Sequence, residues 1–154
     1  MTAVPPAIRE VIDRAMLAVR DAFPGRLRSV ALFGSQARGE ATARSDVDLA
    51  IVVSGRGADD YGALTRSLGG HGLREPPFIS AVIWSDVDLA GHPWLLIDVA
   101  VDGIVLLDDG VLGREMEAVR RRLAALGSRR VRLPDGTWYW DLKPDWKPGD
   151  VVEI

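Results

Sequence analysis

Two short polar clusters interrupt an otherwise apolar stretch: Gly34-Ser35-Gln36-Ala37-Arg38-Gly39, then Ser45-Asp46-Val47-Asp48. Carboxylates two residues apart on a strand project to one face. There they repel each other unless a cation sits between them. Magnesium suits such a pair, because it takes oxygen ligands from one or two carboxylates and from substrate phosphates. Gly34 permits a positive φ and lets another group approach the backbone closely. Ser35 reads as an N-cap for a helical turn through Gln36, Ala37 and Arg38, and the N–H groups of a helix start suit a phosphate. Arg38 adds positive charge, Gly39 ends the turn, and Ser45 leads into the two acids. These are the parts of a site for a nucleoside triphosphate carried with magnesium.

Such parts work only if the chain brings them together. Ser29-Val30-Ala31-Leu32-Phe33 is apolar and β-favouring, so it reads as a buried strand ending at the glycine. Asp46 to Val53 is a second strand by composition, with Val47, Leu49, Ile51 and Val53 turned to the core. The loop from Glu40 to Arg44 is short enough to make the two strands an antiparallel pair. That pairing sets the Gly-Ser turn beside the carboxylates.

The pattern Gly34-Ser35-x-Ala37-Arg38-Gly39 followed by Ser45-Asp46-x-Asp48-Leu49 resembles the signature of the DNA polymerase β-like nucleotidyltransferase superfamily, and is closest to its small, stand-alone minimal nucleotidyltransferases. The resemblance spans residues 8 to 108, and the tail around Trp138-Tyr139-Trp140 resembles an extension of prokaryotic members. It implies that Asp46 and Asp48 hold the metal and carry catalysis, and that Gly34, Ser35, Arg38 and Ser45 bind nucleotide. It also implies Mg2+ with ATP or another NTP, and a frequent role as antitoxin to a HEPN-type partner protein, sometimes by adenylylating it. Members usually carry a third carboxylate on a later strand. The matching strand here, Pro77 to Trp84, contains no acid, and Ser80 stands at the expected position. A serine is a poor base at neutral pH without help.

The hexapeptide Ser45-Asp46-Val47-Asp48-Leu49-Ala50 recurs as Ser85-Asp86-Val87-Asp88-Leu89-Ala90. The second copy follows a strand and precedes a helix-like stretch, so Ser85 or Asp86 reads as an N-cap with acids in the first turn. It is not a second metal site.

The remaining sequence sets bounds. The 154 residues suit one domain, cysteine is absent, and no apolar run approaches the length of a membrane span. With no signal-peptide pattern, a cytoplasmic protein is expected. A net charge of −3 gives no general attraction to nucleic acid, although a tRNA or RNA acceptor stays open. Arg120, Arg121 and Arg122 read as the solvated face of a helix, and His71 and His92 as non-ligands. Apolar spacing marks helices over Ile8–Phe23, from Asp59, and over Leu112–Leu126, with strands at Phe78–Trp84 and Gly103–Leu107. The expected fold is α/β (α+β): a small mixed sheet flanked by helices, with an extended C-terminal tail. Residues 1–127 form the nucleotidyltransferase-like domain and 128–154 an extension packed on it or on a partner. Trp138 and Trp140 share one face of that extension, with Trp146 beyond. An oligomer is expected, and because stand-alone members of the resembled group lack a separate acceptor-binding domain, a partner protein is expected to supply it. Two functions fit: transfer of a nucleoside monophosphate to a hydroxyl, or a binding subunit without chemistry.

Overall fold

The computed structural model describes residues 3–154. After a 3-10 turn at Pro6–Ile8, the elements run α1 (Arg9–Ala22), β1 (Leu27–Phe33), α2 (Gly34–Arg38), β2 (Val47–Val53), α3 (Asp60–Gly70) and β3 (Ile79–Ser85). Then come α4 (Asp86–Ala90), α5 (Leu96–Asp102), β4 (Ile104–Asp108), α6 (Val111–Leu126), β5 (Arg129–Arg132) and β6 (Trp138–Asp141). The main sheet has the order β3-β2-β1-β4, and β5 pairs β6 in a separate hairpin. β1 lies antiparallel to both β2 and β4, while β3 runs parallel to β2. The expected antiparallel pair and the mixed sheet are both present.

Both faces of the sheet are covered, which the alternation of β2 alone did not anticipate. Val47, Leu49, Ile51 and Val53 pack with Ile12, Ala15 and Val19 of α1 and Leu64 of α3. Ala50 and Val52, on the face of Asp48, are buried too, among Leu89, Leu96, Val99, Leu112 and Met116. This double burial explains the unbroken apolar run from Leu49 to Val53, as in strands covered on both sides. Each fully buried Leu, Ile or Val there contributes roughly 1.5–3 kcal/mol. Asp46 lies one residue before β2, and Asp48 is its second residue, so the carboxylates sit where the sheet leaves its core.

Local chemistry fixes the ends of the elements. Ser85 is the N-cap of α4: its Oγ accepts from the Asp88 N–H at 3.1 Å, and Asp88 Oδ2 accepts from the Ser85 N–H at 2.9 Å. That reciprocal box is the purpose of the second hexapeptide. The α5 helix begins at Leu96. Asp108 accepts from Ser29 Oγ at 2.6 Å and from the N–H groups of Leu112 and Gly113, tying β1 to the start of α6. Arg26 grips Asp60 with two bonds, of 2.8 and 3.1 Å, and joins β1 to α3.

The tail folds back on the second core. Trp140, Leu142 and Ile154 pack against it. Of the arginines on α6, Arg120 donates to the Ala100 carbonyl at 2.6 Å and Arg122 to the Glu153 carbonyl at 2.7 Å. These bonds account for two of the three charges without any nucleic-acid ligand. His92 joins the Ile154 carbonyl at 2.6 Å and Glu115 Oε2 at 2.8 Å. Both partners accept, so the ring is suited to carry both protons. Burial works against the charged ring, but the bonds to Glu115 and Ile154 outweigh it and raise its pKa above the usual value. A raised pKa adds stability that is complete below the unfolded value and is lost as pH rises through the folded one. Thermal melts between about pH 6 and 8 are therefore expected to fall with pH in the wild type and to run flatter in His92→Gln. Equal slopes would remove His92 from the tail's anchorage.

Candidate active site

Asp48 organises the site. It pairs with Phe33 at the end of β1 on one side and with Ser80 of β3 on the other. The turn after Phe33 therefore lies against one flank of the carboxylate, and the position of the missing third acid lies against the other. Ser80 stands directly across from Asp48 in the β2–β3 register, and its side chain works to lower the Asp48 pKa. Among the described residues, no three His, Cys, Asp or Glu side chains gather as a metal-binding group.

Gly34 shows how tightly the turn closes on Asp48. Its φ is +71°, and a Cβ placed there would lie 2.3 Å from Asp48 Oδ2. Only glycine fits without displacing the carboxylate. The turn is α2 itself, which begins at Gly34. The N-cap position is Phe33, in extended backbone with no side-chain capping bond. Ser35 is thus inside the first turn rather than its cap, because the chain already bends at Gly34. The uncapped start leaves its N–H groups without a side-chain partner, as a phosphate site requires.

Burial raises the Asp48 pKa above the ordinary value. The Ser80 hydroxyl across the strand pair opposes that rise, the nearby Asp46 charge adds to it, and Arg38 opposes it more weakly. A partly desolvated carboxylate beside a second carboxylate is a site that a divalent cation relieves. The close approach at Gly34 and this donor set fit a magnesium ion held by Asp46 and Asp48, with phosphate oxygens completing its shell. Asp46 itself is exposed.

The other two predicted residues are engaged with the protein. Ser45 Oγ accepts from the Thr42 N–H at 2.9 Å, which closes the loop carrying Asp46. Arg38 Nε donates to Glu40 at 2.8 Å, its Nη1 lies 3.9 Å from Asp102, and its guanidinium lies 5.5 Å from the centre of the Trp138 ring. Sequence reasoning paired the two tryptophans on one face but gave no sign that Trp138 meets Arg38. It also missed a cavity of about 260 Å³ beside Asp46, lined by Arg44, Pro76, Pro77 and the half-exposed Phe78. A cavity of about 310 Å³ opens beside Arg56, Tyr61 and Asp88, at the opposite end of β2 and β3. Its acids are occupied, since Asp60 is held by Arg26 and Asp88 by Ser85 and Arg56.

No curated protein sequence matches the chain. Residues 12–78 match the model of the nucleotidyltransferase domain. Among solved structures the chain is similar to spectinomycin adenyltransferase AAD(9) from Enterococcus faecialis with ATP and spectinomycin. The identity is 17%, over 77% of this chain and 65% of that chain, with a TM-score of 0.58. It is also similar to a toxin-antitoxin with AMP-PNP, at 20% identity over 73% of this chain and 89% of that chain, with a TM-score of 0.52. At these identities the likeness is one of fold. The sequence match takes in Gly34, Ser35, Asp46 and Asp48, so this part of the chain is similar to the nucleotidyltransferase domain, and the fold is shared with solved transferase structures.

Proposed function

We propose that this chain transfers a nucleoside monophosphate, AMP from Mg-ATP, to a hydroxyl acceptor. The closure of the Gly34 turn onto Asp48, with Asp46 beside it, carries this reading. It joins a phosphate cradle to a metal-binding acid pair with no space between them. When bound, magnesium neutralises phosphate charge and orients the α-phosphorus. The uncapped N–H groups of α2 hold phosphate oxygens, and Arg38 supplies positive charge from the same turn. An acceptor hydroxyl enters from the β3 flank, where Ser80 and the cavity at Pro77 and Phe78 lie. Its oxygen forms a bond to the α-phosphorus, the bridging α–β bond breaks, and pyrophosphate leaves. The acceptor proton passes to water at this flank, since Asp48 is committed to the metal and a serine at position 80 is a poor base.

The acceptor we favour is a hydroxyl on a HEPN-type toxin, with this chain as its antitoxin. The resemblance of the Gly34–Asp48 pattern to minimal nucleotidyltransferases supports this, as does the fold shared with a toxin-antitoxin solved with AMP-PNP. The fold shared with an adenyltransferase supports ATP as donor. A second reading rests on Ser80: with a hydroxyl in place of the third acid, the chain binds nucleotide or partner without chemistry. Incubation with α-labelled ATP, magnesium and a HEPN-domain protein separates the two. Transfer of label to the partner, lost in Asp48→Asn, supports the enzyme. A stable complex without label supports the binder.

A further inference from the structure

Arg38 is held by a clamp built largely from the C-terminal hairpin. Its side chain keeps only 18% exposure, and each of its three partners is itself fixed by that hairpin. Glu40, which takes the Nε bond, also accepts from Arg132 of β5 at 3.2 Å. Asp102, beside Nη1, is held by both terminal nitrogens of Arg130. Trp138, under the guanidinium, shares Arg130 with Trp140, at 4.4 and 4.9 Å from the two ring centres. The two indoles meet edge to face at 6.2 Å, and Trp140 Nε1 donates to Asp98 on α5 at 3.1 Å. Tryptophan gives the strongest cation–π face, and a planar guanidinium laid against it loses its freedom to swing.

The clamp leaves one end of Arg38 available. Nε donates to Glu40 and Nη1 lies 3.9 Å from Asp102, while neither terminal nitrogen makes a hydrogen bond among the described residues. The same charge is close enough to Asp48 to lower its pKa. Trp138 therefore helps to fix where the Arg38 charge lies, with the terminal nitrogens left for a ligand.

We infer that Trp138 is a positioning residue for nucleotide binding: through the cation–π contact, the β5–β6 hairpin holds Arg38 with its terminal nitrogens free for a phosphate. This rests on the proposed Mg-ATP site and extends it to a segment outside the matched domain. The hairpin is thus part of the binding machinery as well as a cover for the core.

The test is a double-mutant cycle read by calorimetric Mg-ATP binding on the full chain. Trp138→Leu is expected to weaken Mg-ATP roughly tenfold, the size of a desolvated cation–π contact, while Trp138→Phe retains most of the affinity. In an Arg38→Met background, Trp138→Leu is expected to add nothing. If it weakens binding equally in both backgrounds, or not at all in the wild type, the inference is overturned. Trp138→Met, which keeps the volume without a π face, supplies the same comparison should the leucine variant not fold. A wild type that binds no Mg-ATP overturns the site reading itself, and the inference with it, an outcome distinct from a wild type that binds with an unresponsive Trp138.

Discussion

Gly34→Ala is expected to lower nucleotidyl transfer roughly hundredfold, the scale of a misplacement of about 1 Å at a reacting centre. A Cβ at this position would lie 2.3 Å from Asp48 Oδ2 and 3.2 Å from its Cγ, so the carboxylate must move. The alternative is for the turn to open, which takes the α2 N–H groups away from Asp46 and Asp48. The positive φ adds a backbone cost of about 1–2 kcal/mol for a residue with a Cβ. That cost falls on the local turn, while the buried strands β1 and β2 keep their core, so the variant should fold. The check is transfer of label from ATP at matched protein concentration, with circular dichroism as the control for folding. Retention of full activity in Gly34→Ala would show that the turn and Asp48 do not act together.

Ser80→Asp carries the next largest effect, and in the opposite direction. Ser80 stands across from Asp48 in the parallel β2–β3 register. An aspartate there supplies a third oxygen ligand and a base beside the acceptor flank. General-base assistance of this kind contributes on the order of 10²-fold or more to rate. Transfer should rise by about that factor, with magnesium binding tightened. The same substitution places a third negative charge against Asp48, so the variant without magnesium should melt lower than wild type and recover when the ion is added. No gain in transfer, with magnesium-dependent melting intact, would favour the binding-subunit reading.

Much of this site was legible in the sequence because its signals are local. The Gly-Ser turn, the acid pair and the short loop between them lie within a few residues, and strand alternation with hairpin pairing suffices to join them. The recurrence at Ser85 was legible for the same reason, since capping chemistry is read over three or four positions. What escaped involves pairing across the chain. Arg132 meets Glu40 from 92 residues away, and Arg38 meets Trp138 and Asp102, none of which leaves a periodic trace. The burial of Ala50 and Val52 depended on α5 and α6 covering the second face of the sheet, a fact about layers rather than about β2. Ser35 was misread as the cap because a serine before a helical turn normally is one. The bend at Gly34, with its positive φ, moved the start of the helix two residues earlier.

The fold also explains why the acids stand where they do. Asp48 remains at the boundary of a sheet buried on both faces, where desolvation raises its pKa yet a ligand can still reach it. Carboxylates held in this way cost stability until a cation arrives, a common trade at functional sites.

The most direct test of the site is a calorimetric titration with Mg-ATP of the wild type and of the Asp46→Asn/Asp48→Asn protein. The wild type should bind at one site. The double variant, which removes two mutually repelling charges and should melt no lower, should give no heat of binding. Binding undiminished in the folded double variant, or none in the wild type, would contradict the assignment of Asp46 and Asp48 to a magnesium–nucleotide site.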